Sequence, residues 1–408
     1  MGQGFSQARL DRIAPTLQQN YVEPGLIPGA QILIWRRGKI ALDAVTGQRD
    51  LIRKTPFSHD TIHRIYSMTK PMTSVAALML LEEGRIALDD EVARFIPAFA
   101  DLKVFAGGDP GKWQTKPPAR AMTVQDLMRH TSGFTYGFLQ RTAIDAEYRR
   151  LRLAETDMEG GMPAMIEALA GLPLEFSPGA GFNYSVSTDV LGHIVELVSG
   201  MSLSQFFHQR LLGPLSMRDT DFFVPEDKRG RFAACYLSRD DRLTTWDDGV
   251  KTARYAAPPK LESGGGGLAG TAVDYLRFAR MLLNRGELDG VRYLSPKSVQ
   301  LMTMNHLPGN AEICDLMASS NMFSETGYRG VGFGLGVAVM QNLSHAALLG
   351  SIGEYTWGGL AGTFFFVDPR EDMILVFMTQ VIDNQAKRTR LRRHVRTLVY
   401  SAIEESFA

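Results

Sequence analysis

Ser67 and Lys70 stand three residues apart in Ser67-Met68-Thr69-Lys70. On a helix that spacing puts both side chains on one face, hydroxyl beside ammonium. A serine is a weak nucleophile until a neighbour activates it. A helix N-terminus adds partial positive charge where an alkoxide or oxyanion would form. Such a pair, at the entrance of a buried helix, is a candidate nucleophile site. S-x-x-K is short enough to arise by chance, so the pair needs a proton acceptor from elsewhere in the chain.

A lysine ammonium keeps its proton at neutral pH in ordinary surroundings. Histidine is one alternative acceptor, and the chain has eight, but the nucleophile elbow G-x-S-x-G is absent. His130 lies in His130-Thr131-Ser132-Gly133 and reads as a residue that hydrogen-bonds its own loop. Tyr184 follows the Pro/Gly-rich stretch Phe176 to Asn183 and stands just ahead of a helix that starts near Ser187. A tyrosinate beside Lys70 would be stabilised by the ammonium charge. Taken alone, Tyr184 reads as a packing residue with its hydroxyl satisfied.

The elements that must position these groups follow from periodicity. Pro71 is tolerated only in the first turn of a helix, so the helix begins near Ser67 to Thr69, and Gly84 fits its C′ position. An amphipathic helix is expected over Phe5 to Asn20, then strands over Ala30 to Trp35 and Lys39 to Val45 joined by Arg36-Arg37-Gly38. Ala106 to Pro118 reads as a surface loop. Thr123 with Asp126 resembles a capping box. Helices are expected at 145–153, 163–170, 187–199 and 202–212. The run Gly264 to Gly267 reads as a tight backbone crossing, and Asp189 as a structural hydrogen-bonder near its helix start. Thr271 and Asp274 cap a helix to Asn284. Strands return at Gly332 to Met340, Ala346 to Gly350, Thr363 to Val367 and Met373 to Thr379, with a closing helix from about Asn384 to Ser406.

Strands at both ends of a chain join readily in one antiparallel sheet with flanking helices. The expected architecture is therefore α/β (α+β) in one module, 1–408. Residues 1–75 and 265–408 form an α/β lobe, 76–264 a mainly helical lobe, and the site lies between them.

Composition is that of a globular protein: 45% hydrophobic, 22% charged, zero net charge. Nothing resembles a phosphate-binding stripe, so no nucleic-acid partner is expected. The basic stretch Lys387 to Arg396 reads as the solvent face of the last helix. Cys235 and Cys314 are far apart and in no metal spacing. No metal or organic cofactor is implied. Met1 to Asn20 lacks an apolar signal core and no apolar run approaches a membrane span. A cytoplasmic protein with a small-molecule partner and no membrane partner is expected.

Three motifs occur in order: Ser67-Met68-Thr69-Lys70, Tyr184-Ser185 ahead of a helix, and Trp357-Gly358-Gly359 before a strand. His130-Thr131-Ser132-Gly133 falls between the first two. The set resembles the serine β-lactamase and penicillin-binding-protein superfamily, in its class C-like branch, and within it the family VIII carboxylesterases. The resemblance extends from the Ala30 strand to the Met373 strand. It implies that Ser67 is acylated, that Lys70 tunes the proton transfers, and that Tyr184 is general base and then acid. It also implies an oxyanion hole from the backbone N–H groups of Ser67 and Leu360, and substrate contacts from Trp357, Gly358 and Gly359.

Departures from the lactamase pattern narrow the expectation. No K-T-G occurs, and neutral Trp357 stands at its place; none of the 12 tyrosines has Asn two residues on, Val186 filling that position after Tyr184. Both changes favour apolar, neutral esters over anionic lactams. The expected activity is a serine carboxylesterase acting on short acyl esters through an acyl-enzyme, with weak cephalosporin hydrolysis as a side activity. An acyltransferase, or a β-lactamase or D-alanyl-D-alanine peptidase, are the alternatives. Val186, Tyr355 and the segment Asn310 to Arg329 are expected to shape the pocket.

Overall fold

The computed structural model describes residues 3–239, 242–317, 327–382 and 385–407, with backbone alone for 385–389. Its centre is an eight-stranded antiparallel sheet. In chain order the strands are β1 (Gly29–Arg36), β2 (Lys39–Asp50), β3 (Thr55–Pro56), β4 (Val331–Phe333), β5 (Ala338–Met340), β6 (Tyr355–Gly358), β7 (Phe364–Asp368) and β8 (Met373–Met378). Their spatial order is β4-β5-β6-β7-β8-β1-β2-β3. The first and last parts of the chain thus meet at the β1–β8 pair, where Leu33 faces Val376.

Both faces of this sheet are covered, which is why β1, β7 and β8 are buried throughout. Alternate residues serve opposite cores. Leu33, Phe365, Val367, Ile374 and Val376 join the large core that contains helix α1 (Lys70–Glu82). Ile32, Ile34, Phe364, Phe366 and Leu375 join a second core with Leu10, Ile13, Val395 and Val399. Residues Lys70 to Leu80 of α1 are all buried, so this helix is an internal post rather than a surface element. It packs against α2 (Ser187–Ser199), the helix that follows Tyr184. Gly84, at φ +69°, ends α1 at the C′ position read from the sequence. Helix α3 (Ala272–Leu283) packs on β8 and β1, and α4 (Gln385–Ser401) closes the chain.

Several expectations change. Val104–Asp109 and Lys112–Lys116 form a hairpin where a loop was read, its Pro110-Gly111 turn backed by the Phe105–Trp113 ring pair at 5.7 Å. Ala346 to Gly350 is not a strand: Asn342 caps a short helix, Leu343–Ala346, by accepting from the N–H groups of Ser344 and His345. The strand read over Gly332 to Met340 is two, β4 and β5, with Gly336 at φ +94° between them. The opening helix is broken into Gln7–Asp11 and Ile13–Leu17, followed by a wider turn.

The basic C-terminal stretch is corrected most. Arg392 and Arg396 face inward and are buried. Arg396 pairs with Glu354 at 2.6 Å. Arg392 donates to the carbonyls of Gly359 and Thr363 at 3.1 and 2.8 Å. Arg393 is exposed, and the side chains of Lys387 and Arg388 lie outside the described residues.

Candidate active site

Ser67 sits in a tight turn, Tyr66–Thr69, that leads directly into α1. Tyr66 is held at φ +43°, a costly conformation for a bulky residue. The turn is pinned on several sides. Tyr275 donates its hydroxyl to the Met68 carbonyl at 3.0 Å, and the Leu268 N–H donates to Thr69 Oγ1 at 3.2 Å. The Ile65 N–H donates to the Leu268 carbonyl at 3.1 Å. The nucleophile candidate is therefore presented from rigid backbone.

Lys70 is fully buried. Its ammonium lies 3.4 Å from Ser67 Oγ, 3.0 Å from the Tyr136 hydroxyl and 2.6 Å from the Gly265 carbonyl. It also lies 4.5 Å from the centroid of the Tyr184 ring. Tyr184 packs between Tyr136 and Trp357, with ring centroids 5.3 and 5.4 Å away. Ser67, Lys70, Tyr184 and Trp357 are thus brought together as the sequence reading requires.

Two further groups complete the cluster. The Tyr136 hydroxyl donates to Asp189 Oδ2 at 3.3 Å. Asp189 Oδ1 accepts from Ser263 Oγ at 2.5 Å and from the Gly265 N–H at 3.0 Å. Burial raises the Asp189 carboxyl above its usual range, an effect only partly offset by Lys70 and these donors. Burial, then the charge of Asp189, drives the Tyr136 phenol well above 10. The glycine run is a tight crossing because a Cβ on Gly265 would lie 2.5 Å from Asp189 Oδ2 and 2.8 Å from the Tyr136 hydroxyl. Tyr136 carries no spacing signal in the sequence, and only the fold brings it to Lys70.

His130 does not approach Ser67 in any hydrogen bond among the described residues. Its ring sits among Phe182, Tyr184 and Phe333, with Nδ1 3.3 Å from Ser185 Oγ. Burial, then the Lys70 charge, lowers its pKa well below 6.5, so it is neutral. No Ser-His-Asp arrangement involving Ser67 occurs among the described residues.

Strand β6 faces the nucleophile. The Gly358-Gly359 pair at its end is needed for close approach: a Cβ on Gly359 would sit 2.5 Å from the Ile65 carbonyl, and one on Gly358 would collide with the Arg392 guanidinium. Leu360 and Ser67 both border each of two recesses that meet at the serine. The Leu360 N–H donates to no group among the described residues. Trp357 and Gly358 extend beyond the β5 pairing, which ends at Thr356, and both line one recess. Val186 and Tyr355, read as substrate contacts, are buried in the core and line neither recess. Val186 donates its N–H to the Thr135 carbonyl at 3.2 Å, and Tyr355 sits on β6 opposite Val367. Of the segment Asn310 to Arg329, residues 318–326 lie outside the described residues, and Tyr328 lines the Trp357 recess.

The Beta-lactamase family model matches residues 16–399. The chain belongs to that family. It is 38% identical over 362 residues to Protein Rv1367c of Mycobacterium tuberculosis, covering 88% of this chain and 87% of the relative. It is 29% identical over 388 residues to Esterase EstB of Burkholderia gladioli, covering 91% and 90%. Among solved structures, EstCE1, described as a hydrolase with promiscuous acyltransferase activity, superposes with a TM-score of 0.79 at 27% identity, covering 96% of this chain and 99% of that one. The chain is a serine hydrolase of the esterase-like branch, with the mixed helix and antiparallel-sheet fold the sequence implied.

Proposed function

We propose that the chain is a carboxylesterase that forms an acyl-enzyme on Ser67. The observation that carries this reading is the Lys70 ammonium, held at once against Ser67 Oγ, the Tyr136 hydroxyl and the Tyr184 ring. Tyr184 takes the serine proton as Oγ attacks the ester carbonyl. The tetrahedral oxyanion is met by the N–H groups of Ser67 and Leu360, an arrangement worth several kcal/mol. Tyr184 then returns the proton to the leaving alkoxide, and the C–O bond breaks. Water repeats the cycle on the acyl-enzyme, releasing acid and free serine. Tyr136 and Asp189 keep Lys70 in place and are positioning residues.

Trp357 supports esters over lactams: an apolar wall stands where a lysine would hold a substrate carboxylate. Val186, buried, offers no amide to a lactam side chain. Transfer of the acyl group to an alcohol in place of water is the second reading, favoured by the likeness to EstCE1. p-Nitrophenyl esters and a chromogenic cephalosporin, assayed side by side, test the proposal. Ester turnover with at most slow lactam turnover is expected. Rapid lactam turnover without ester turnover would overturn it.

A further inference from the structure

The two recesses that meet at Ser67 differ in size and in the residues that reach them. The one beside Tyr184 and Trp357 has a volume of about 40 Å³, room for very few water molecules. The one beside Tyr136 and Phe138 has about 520 Å³, within the range of small-molecule sites. Tyr184 borders the narrow recess and not the wide one. A group that protonates the leaving oxygen must stand within hydrogen-bond reach of it. The leaving oxygen is therefore on the narrow side, and the acyl substituent, on the other side of the carbonyl carbon, points into the wide recess.

We propose that the wide recess is the acyl site and that Trp246 sets the longest acyl group accepted; this rests on the Ser67 acyl-enzyme reading. Trp246 borders the wide recess on the strand Arg242–Asp247 and is 46% exposed, so its ring stands at the mouth rather than in the core. Arg254 lies over that ring, 5.4 Å from its centroid, and pairs with Glu155 at 3.3 Å. Both ions are near half exposed, at 47% and 43%, so the pair orients the ring without locking it. The other walls are largely apolar, with Leu237 and Ile382 beside the tyrosine rings. An acetyl or butyryl group would leave most of this space to water. A longer chain would remove both its own surface and the walls from water, which is favourable. Under this proposal, acyl chains long enough to reach Trp246 are preferred.

The test is a p-nitrophenyl ester series from acetyl to palmitoyl, run on wild type, Trp246→Ala and Arg254→Gln, with a second series that varies the alcohol at constant acyl group. Trp246→Ala should raise kcat/KM for the longest esters on the order of tenfold and leave the acetyl ester and the alcohol series unchanged. Arg254→Gln should move the profile the same way by less. The retained acetyl rate shows that the variant is folded. An unchanged acyl profile, or a shift in alcohol preference instead, would overturn the proposal. Absence of ester hydrolysis by the wild type would instead remove the Ser67 reading beneath it.

Discussion

Tyr184→Phe is expected to lower kcat for an alkyl ester by about 10²–10⁴-fold, while Tyr136→Phe lowers it by only about tenfold. Both rings flank Lys70, 4.5 and 5.1 Å from its ammonium, so proximity does not separate them. Their surroundings do. Tyr136 already donates its hydroxyl to Asp189, and burial with that carboxylate makes its phenol a much weaker acid than usual. A phenol that resists ionisation is a poor base at neutral pH. Its loss loosens Lys70 but leaves the ammonium its contact to the Gly265 carbonyl at 2.6 Å. Tyr184 borders one recess together with Ser67, Trp357 and Leu360. Because p-nitrophenolate leaves without a proton, the Tyr184→Phe deficit should be larger for alkyl than for p-nitrophenyl esters. KM should change little in either variant. Steady-state kinetics on both ester types check this, and a larger loss in Tyr136→Phe than in Tyr184→Phe would reverse the assignment.

The largest stability effect is expected at Arg396. Arg396 Nη1 donates to Glu354 Oε2 at 2.6 Å. The Tyr400 hydroxyl contacts the same oxygen at 2.5 Å and Asp368 Oδ2 at 2.7 Å. Burial, opposed by Arg396, leaves the Glu354 carboxyl above its ordinary range. Arg396→Met leaves this acidic pair without its cation and should cost about 3–5 kcal/mol. For a chain of 408 residues that corresponds to a Tm lower by about 4–6 °C. The sign of the pH effect follows from the raised pKa. A carboxyl whose folded pKa is raised contributes stability present at low pH and lost as pH rises through the folded value. Removing Arg396 raises the Glu354 carboxyl further, so the deficit should be smaller at acidic than at alkaline pH. Thermal melts of wild type and variant across pH check it; a deficit independent of pH would place the cost in lost packing.

Local chemistry was legible in the sequence; long-range contacts were not. Ser67 and Lys70 declare themselves because both stand in one turn, whereas Trp357-Gly358-Gly359 entered through its place in the ordered motif set that resembles the family. The paired terminal strands follow from their apolar runs. Tyr136 and Gly265 were missed as neighbours of Lys70 because they are 66 and 195 residues from it in the chain. Arg392 and Arg396 were misread because a basic run is ordinarily a solvated face, and nothing nearby in sequence announces Glu354 or the Gly359 carbonyl as partners. Val186 and Tyr355 were placed in the pocket by position alone. Val186 turns inward as the chain enters α2, and Tyr355 packs against the large core from β6.

The acyl-enzyme itself can be weighed. Wild-type protein mixed rapidly with a p-nitrophenyl ester, quenched in acid and measured as intact mass should carry one added acyl group, which peptide mapping places on Ser67. Ser67→Ala should carry none. An adduct on another residue, or one that persists in Ser67→Ala, would contradict the assignment of Ser67 as the nucleophile.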